Sequence, residues 1–184
     1  MSRPFTERAK VIPLLADVFR DHGYDGASLT LIGQATGLGK SSLYHLFPNG
    51  KEQMAAEVLA QIDRWFEVNV FSPLRDEPDP RLAIRLMLAK TDAYFLSGQR
   101  VCLFGIIALV DARDQFAERV RGYFAKWIDT LAATLARAGR SSAEAAELAE
   151  ETVAGVQGAL LLGRALNDIR VFSRAIDRIG ARLV

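Results

Sequence analysis

Residues 29–47 read LTLIGQATGLGKSSLYHLF, and this stretch decides the fold of the first part of the chain. Apolar residues recur at helical spacing over residues 29–36, a Gly-Leu-Gly turn interrupts them at 37–39, and a second helical pattern covers 40–47. Two short helices joined by a glycine-containing turn form the unit that enters the major groove of DNA. The sequence therefore predicts a helix-turn-helix over residues 29–47.

The polar residues of the second helix fall on one side of it. Lys40, Ser41, Tyr44 and His45 stand at positions i, i+1, i+4 and i+5. Side chains of these types donate hydrogen bonds to base edges and phosphates. Each also has a plainer interpretation, since a tyrosine ring can pack on the neighbouring helix and a histidine can simply face solvent.

Two further residues flank this pair of helices. Thr30 lies near the start of the first helix, and Lys51 opens the helix that follows a Pro-Asn-Gly turn. Free backbone N–H groups at a helix start favour an anion, so both residues are candidates for phosphate contacts.

Helical spacing dominates the rest of the chain, and no run alternates apolar and polar residues long enough to predict a strand. The fold class expected is all-α. Further helices are predicted over residues 7–22, 51–71, 79–96, 101–111, 113–137, 142–168 and 171–184. Three prolines in residues 72–80 favour a domain boundary there. We expect a DNA-binding domain over residues 1–50, a connecting helix over 51–71 and a larger helical domain over 72–184.

Charge and cysteine content narrow the class of protein. The first 51 residues hold six basic side chains against four acidic ones, so DNA binding must rest on local placement rather than on a strong field. The single cysteine, Cys102, excludes a disulfide framework and favours a reducing, cytoplasmic compartment. No stretch of about 18 apolar residues occurs, so no membrane span is expected.

An enzyme is the alternative that the sequence argues against. Gly39-Lys40-Ser41 with an upstream Gly33 suggests a phosphate-binding loop, but five residues rather than four separate the two glycines, and no strand precedes them. Two histidines and one cysteine are too few for a typical metal site. We expect no enzymatic activity, no cofactor and no metal. A helical sensor or interaction module without DNA binding stays open as a second alternative.

The sequence resembles the TetR family of regulators over residues 11–59. The resemblance rests on Gly23-Tyr24-Asp25-Gly26 before the helix-turn-helix and on Leu43-Tyr44-His45 within it. The long turn at residues 48–51 and the stretch at 102–105 are similar to the LmrA/YxaF-like subgroup. Membership implies a three-helix DNA-binding head followed by a divergent all-α regulatory domain that dimerises.

The resemblance also implies roles for single residues. By position, the residues that would read base edges are Lys40, Ser41 and Ser42. Those that would contact the DNA backbone are Thr30, Tyr44, His45 and Lys51. Leu46 departs from the polar or aromatic residue of many members, so no contact is expected there.

Aromatic residues from several helices beyond the head predict an apolar pocket. For any one of these residues, a plain helical core is the favoured interpretation. The candidate ligand-binding residues are Phe66, Met87, Tyr94, Phe95, Phe104, Phe124, Trp127 and Gln157. The resemblance implies a small hydrophobic inducer, with aromatic compounds among the candidates.

The last two helices carry a dimerisation signal. Residues 153–166 are almost wholly apolar or small, and a helix apolar on all sides must be buried on more than one of them. The resemblance implies that these helices pair with their two-fold mates through Leu160, Leu161, Phe172, Ile176 and Ile179. The expected function is a homodimeric repressor that an inducer releases from a near-palindromic double-stranded DNA operator.

Overall fold

The computed structural model describes residues 3–110 and 114–184, with side chains from residue 7 onward. Every regular element in these residues is helical, which confirms the predicted all-α class. The α-helices are α1 (Arg3–Gly26), α2 (Leu29–Thr36), α3 (Lys40–Leu46), α4 (Gly50–Phe66), α5 (Ser72–Asp76), α6 (Pro80–Tyr94), α7 (Leu103–Ala108), α8 (Ala117–Arg137), α9 (Ser142–Ala165) and α10 (Arg170–Leu183). The predicted helix ends at Asp111 and Arg113 lie outside the described residues.

Some elements differ from their predicted form. The helix predicted over residues 51–71 is α-helical to Phe66 and then continues as a π-helical turn over Glu67–Phe71. The proline-containing segment predicted as a linker begins with the short helix α5. Pro73 sits in the first turn of α5, where its missing N–H costs no intrahelical hydrogen bond.

The chain divides into two compact units. The first unit consists of Met1–Arg64 and Leu103–Ala117, and the second consists of Trp65–Cys102 and Glu118–Val184. This division differs from the predicted one, because residues 103–117 pack with the head and the chain passes into the second unit near the end of α4 rather than after residue 71.

Side chains from α1, α2, α3 and α4 form the core of the first unit. Phe19, Ile32, Leu43 and Phe47 are each almost fully buried, and α7 packs on α1. Ala35 of α2 is exposed. An eight-residue helix has little more than two turns, so few of its side chains can face the core, and Ile32 is its one fully buried residue.

The second unit is built on the pairing of α9 and α10, with α6 and the π-helical turn beside it. Gly98 marks its tightest approach. Its φ is +96°, and a Cβ added there would lie 2.6 Å from Cβ of Phe172. None of the helices in the described residues combines the length and the hydropathy that crossing a bilayer requires.

Candidate nucleic-acid interface

Local capping fixes the bounds of α2. The Ser28 hydroxyl accepts a hydrogen bond from the Leu31 N–H at 3.2 Å, and Gly37 ends the helix in the left-handed conformation at φ +69°. Gly33 allows the turn to close, because a Cβ there would stand 3.0 Å from the Leu38 carbonyl oxygen. These features hold α2 and α3 at a short turn, as residues 29–47 predict.

Helix α3 separates its buried and exposed sides cleanly. Leu43 and Leu46 point into the core, and Phe47, which caps the helix, is fully buried. The exposed residues of α3 are Lys40, Ser41, Ser42, Tyr44 and His45. The burial of Leu46 explains why this position carries no polar side chain.

Tyr44 is 41% exposed and lies beside the first residue of α4. Its Cε1 atom would be 3.5 Å from a Cβ added to Gly50, whose φ of +65° already favours glycine. The ring therefore rests on the Pro-Asn-Gly turn, as its plainer interpretation allows, while much of the side chain stays open to solvent.

Arg8 of α1 joins α3 to α4, a role that the sequence did not suggest. Its guanidinium donates to the carbonyl oxygen of Leu46, lies 5.3 Å from the centre of the Phe47 ring, and forms a 3.3 Å ion pair with Glu57. These partners are 38 to 49 positions away in sequence, so helical periodicity carries no signal for them.

Thr30 and Lys51 occupy different environments. Thr30 is exposed at the start of α2, whereas Lys51 is half-buried at the start of α4. The Lys51 ammonium lies 4.6 Å from the centre of the Tyr24 ring, and it donates to the Asp25 carbonyl oxygen at 3.4 Å. Tyr24 and Asp25 thus hold the lysine predicted to contact phosphate.

The second unit gathers most of the predicted ligand-binding rings around Phe66. The ring centre of Phe66 lies 4.9 Å from Tyr94, 5.3 Å from Trp127 and 6.2 Å from Phe95. Tyr123 joins the same cluster, with its ring centre 5.1 Å from that of Phe66, although the sequence analysis did not include it. Its position on the same face of α8 as Trp127, four residues away, is the signal that was available.

The remaining candidates are placed less uniformly. Met87 is buried on α6, Phe124 is half-buried beside Tyr123, and Gln157 is half-buried on α9. Phe104 lies on α7, which belongs to the first unit.

Three polar atoms of the second unit are buried without a hydrogen-bonding partner among the described residues. They are Oγ1 of Thr91, Nε1 of Trp127 and Nε2 of Gln157. Trp127 is part of the ring cluster around Phe66, and Thr91 lies one helical turn before Tyr94 and Phe95 on α6. Buried polar groups are rarely left unpaired, so these three atoms are an unusual feature of the second unit.

The residues predicted for dimerisation divide into three environments. Leu161 is exposed, Ile176 and Ile179 are half-buried, and Leu160 and Phe172 are buried within their own protomer. Phe172 packs 6.0 Å from Phe95 and against Gly98, so it has no surface left for a partner. Both sides of α9 are apolar, and its sequence alone does not say which side faces its own core.

A contiguous apolar row nevertheless remains outside. Four large apolar side chains at the end of α9 and in the turn to α10 are more than half exposed: Leu161, Leu162, Leu166 and Ile169. Asp168 lies in the same turn, where hydrogen bonds from Arg170 hold the pKa of its carboxyl below the usual range. The row is therefore bordered by charge at one end.

An all-α chain with a helix-turn-helix whose second helix exposes polar and aromatic residues has the architecture of a DNA-binding transcriptional regulator. Family comparisons narrow the class. Residues 15–58 match the model of bacterial regulatory proteins of the tetR family, and residues 80–178 match the transcriptional regulator LmrA/YxaF-like C-terminal domain. The chain belongs to the TetR family, in its LmrA/YxaF-like branch.

Relatives agree with this assignment over most of the chain. The uncharacterized HTH-type transcriptional regulator YxaF of Bacillus subtilis is 27% identical over 159 residues, which is 84% of this chain and 83% of that protein. A TetR-family regulator from Agrobacterium tumefaciens has a similar fold, with a TM-score of 0.82, 22% identity and 98% of both chains covered. A cysteine mutant of CifR, solved with 26-bp double-strand operator DNA, has a TM-score of 0.70 and 23% identity, covering 91% of this chain and 94% of that one.

Proposed function

We propose that the chain is a homodimeric repressor that binds a near-palindromic operator through α3 and leaves it when a small hydrophobic ligand binds the second unit. The observation that carries the DNA half is the exposed polar face of α3, held on the buried Leu43 and Leu46. A seven-residue helix is unstable by itself, so α3 stays helical and presents its polar face because the neighbouring helices hold it. The CifR neighbour, which has a similar fold, was solved with operator DNA, and this supports DNA as the partner here.

Each contact in this proposal has a chemical role. Lys40, Ser41 and Ser42 stand at the start of α3, where a recognition helix reaches base edges. Tyr44, His45, Thr30 and Lys51 contact the DNA backbone and fix the register of the protein on the duplex.

Replacing Tyr44 tests the proposed interface. The wild-type protein is used to enrich duplexes from a random pool, and the affinity of variants for the enriched duplex is measured by fluorescence anisotropy. Tyr44→Ala should weaken binding about tenfold, since a lost hydrogen bond to a charged group costs about 1.5 kcal/mol or more. Tyr44→Phe keeps the ring on Gly50 and isolates the hydroxyl. Equal affinity of both variants and wild type, with dimerisation intact, would remove Tyr44 from the interface.

A second copy of the chain is the proposed occupant of the apolar row at Leu161, Leu162, Leu166 and Ile169. Small residues stand on the same exposed side of α9, at Ala154 and Ala165, and they let another backbone approach closely. Two heads on one dimer bind the operator far more tightly than one head, because the second head binds at a high effective concentration.

The proposed ligand follows from the chemistry of the second unit. The cluster around Phe66 supplies an apolar aromatic wall, and Trp127, Gln157 and Thr91 supply unpaired buried polar atoms. We expect a flat apolar molecule that carries at least one hydrogen-bond acceptor. Such a ligand releases DNA only if it binds the released conformation more tightly than the DNA-bound one.

A thermal-shift screen of aromatic compounds with and without a carbonyl acceptor tests this ligand class. Hits should raise the melting temperature and lower the affinity for the enriched duplex. Gln157→Leu should weaken hits that carry the acceptor and spare matched compounds that lack it. If Gln157→Leu weakens both groups of compounds, or weakens neither group, the role given to Gln157 is contradicted. A cytoplasmic location, where the operator is accessible, belongs to the same proposal.

A further inference from the structure

The Lys51 side chain is held by the head itself. Its ammonium lies over the face of the Tyr24 ring at 4.6 Å and donates to the carbonyl oxygen of Asp25. A free lysine has four rotatable bonds and little preference among their rotamers. Here the ring and the carbonyl restrict the ammonium to the start of α4, and a cation over a ring face is attracted by the ring quadrupole.

Tyr24 is held in turn by Phe19, five residues before it, and by two residues far away in the sequence. Its ring stacks on Phe19 at 6.1 Å and meets the edge of Phe116 at 5.5 Å, and its hydroxyl shares a side-chain hydrogen bond with Gln115. Phe116 is only 6% exposed. Burial raises the pKa of the Tyr24 hydroxyl above its usual value, so the ring stays neutral at physiological pH.

Gln115 and Phe116 occupy a distinctive place in the chain. They end the segment 103–117 that packs with the head, and Glu118 of α8 begins the return of the chain to the second unit. Tyr123 and Trp127, which take part in the ring cluster around Phe66, lie farther along the same helix. Gln115 and Phe116 lie in the turn just before α8.

We propose that Tyr24 is a positioning residue for Lys51, and that Gln115 and Phe116 keep Tyr24 in place. The inference rests on the proposed contact of Lys51 with phosphate and deepens it. With the ring in place, the ammonium is presented at the start of α4 and loses little freedom when it meets a phosphate.

The salt dependence of operator binding tests the proposal, because it counts phosphate contacts and does not respond to a uniform loss of stability. Affinity for the enriched duplex is measured at several salt concentrations on the full-length dimer. Lys51→Met should reduce the slope of log affinity against log salt by about 1.8, which is about 0.9 for each head. Tyr24→Leu should reduce the slope in the same direction and lower affinity about threefold to fivefold at low salt.

Several variants make the result specific. Tyr24→Phe keeps the ring but loses the hydrogen bond to Gln115, so it should move the slope by the same amount as the surface change Gln115→Ala. Phe116→Leu should move the slope toward that of Tyr24→Leu. Phe104→Leu removes another buried ring of segment 103–117 and is the matched control, since among the described residues the rings on Tyr24 are those of Phe19 and Phe116. In a Lys51→Met background, Tyr24→Leu should change neither slope nor affinity further.

Three outcomes overturn the inference. An unchanged slope in folded Gln115→Ala and Phe116→Leu proteins contradicts the role of segment 103–117. Additive effects of Tyr24→Leu and Lys51→Met show that the two residues act separately. If Lys51→Met binds like wild type while Tyr44→Ala is impaired, the inference fails and the proposed interface stands; if neither variant is impaired, the proposed interface fails as well.

Discussion

The two compact units distribute their polar and apolar groups in opposite ways. The first unit buries Leu43, Leu46 and Phe47 and leaves the polar side chains of α3 in solvent. The second unit buries unpaired polar atoms of Thr91 and Trp127 and leaves a row of leucines outside. The first unit therefore exposes polar side chains over an apolar core, whereas the second buries polar atoms and exposes apolar side chains.

Gly98 of the second unit packs closely against Phe172, and we expect the stability of the protein to be most sensitive to a change at this glycine. Gly98→Ala should destabilise the protein by about 3 kcal/mol, because the positive φ strains alanine and the new methyl group meets Phe172 at 2.6 Å. Gly139→Ala is the control: its φ of +99° is similar, but no atom lies within 4 Å of the added Cβ. We expect it to cost about 1 kcal/mol. Equal shifts in thermal unfolding for the two variants would show that Phe172 is not the obstacle.

Replacing an exposed leucine of the second unit should weaken DNA binding strongly without affecting folding. Leu166→Glu should convert the dimer to a monomer in analytical ultracentrifugation and lower operator affinity about 100-fold, since the advantage of two linked heads is lost. Val68→Glu changes another exposed apolar residue of the same unit, 68% exposed, and should leave both properties unchanged. A dimer that survives Leu166→Glu would place the interface elsewhere.

Removing the cap of α2 tests how far the stability of the first unit depends on local interactions. Ser28→Ala removes the hydrogen bond to the Leu31 N–H and should cost about 1 kcal/mol in thermal unfolding. Ser42→Ala, an exposed change inside α3, should cost almost nothing because alanine favours a helix interior. A similar loss for both serines would argue that the cap adds no stability.

The smallest expected effect concerns pH and the second unit. Hydrogen bonds from Arg75 and Lys126 hold the pKa of the Glu67 carboxyl below its usual range, so these contacts stabilise the folded state above the ordinary carboxyl pKa and are lost as pH falls through the folded value. Glu67→Gln should therefore lower the melting temperature at pH 7, and its difference from wild type should shrink below about pH 4.5. Glu147→Gln, exposed on α9, is the control. A difference that grows at low pH would contradict this assignment.

The sequence by itself determined the helix-turn-helix and the side of α3 that carries its chemistry. Helix α2 spans the residues predicted for it, and α3 ends one residue earlier than predicted, because caps, glycines and apolar spacing are local signals. The exposed polar face of α3 follows from the same periodicity. These features depend on residues within one or two helical turns of each other.

Only the tertiary structure decided which apolar side chains meet. It placed Phe104 in the first unit and buried Leu160 and Phe172 in the core of their own protomer. It also brought Arg8 into contact with α3 and Tyr24 into contact with Lys51. Periodicity reports that a face is apolar but not what covers it, since burial against the same chain and burial against a partner demand the same residues. Contacts between distant segments follow from packing, which no local pattern encodes.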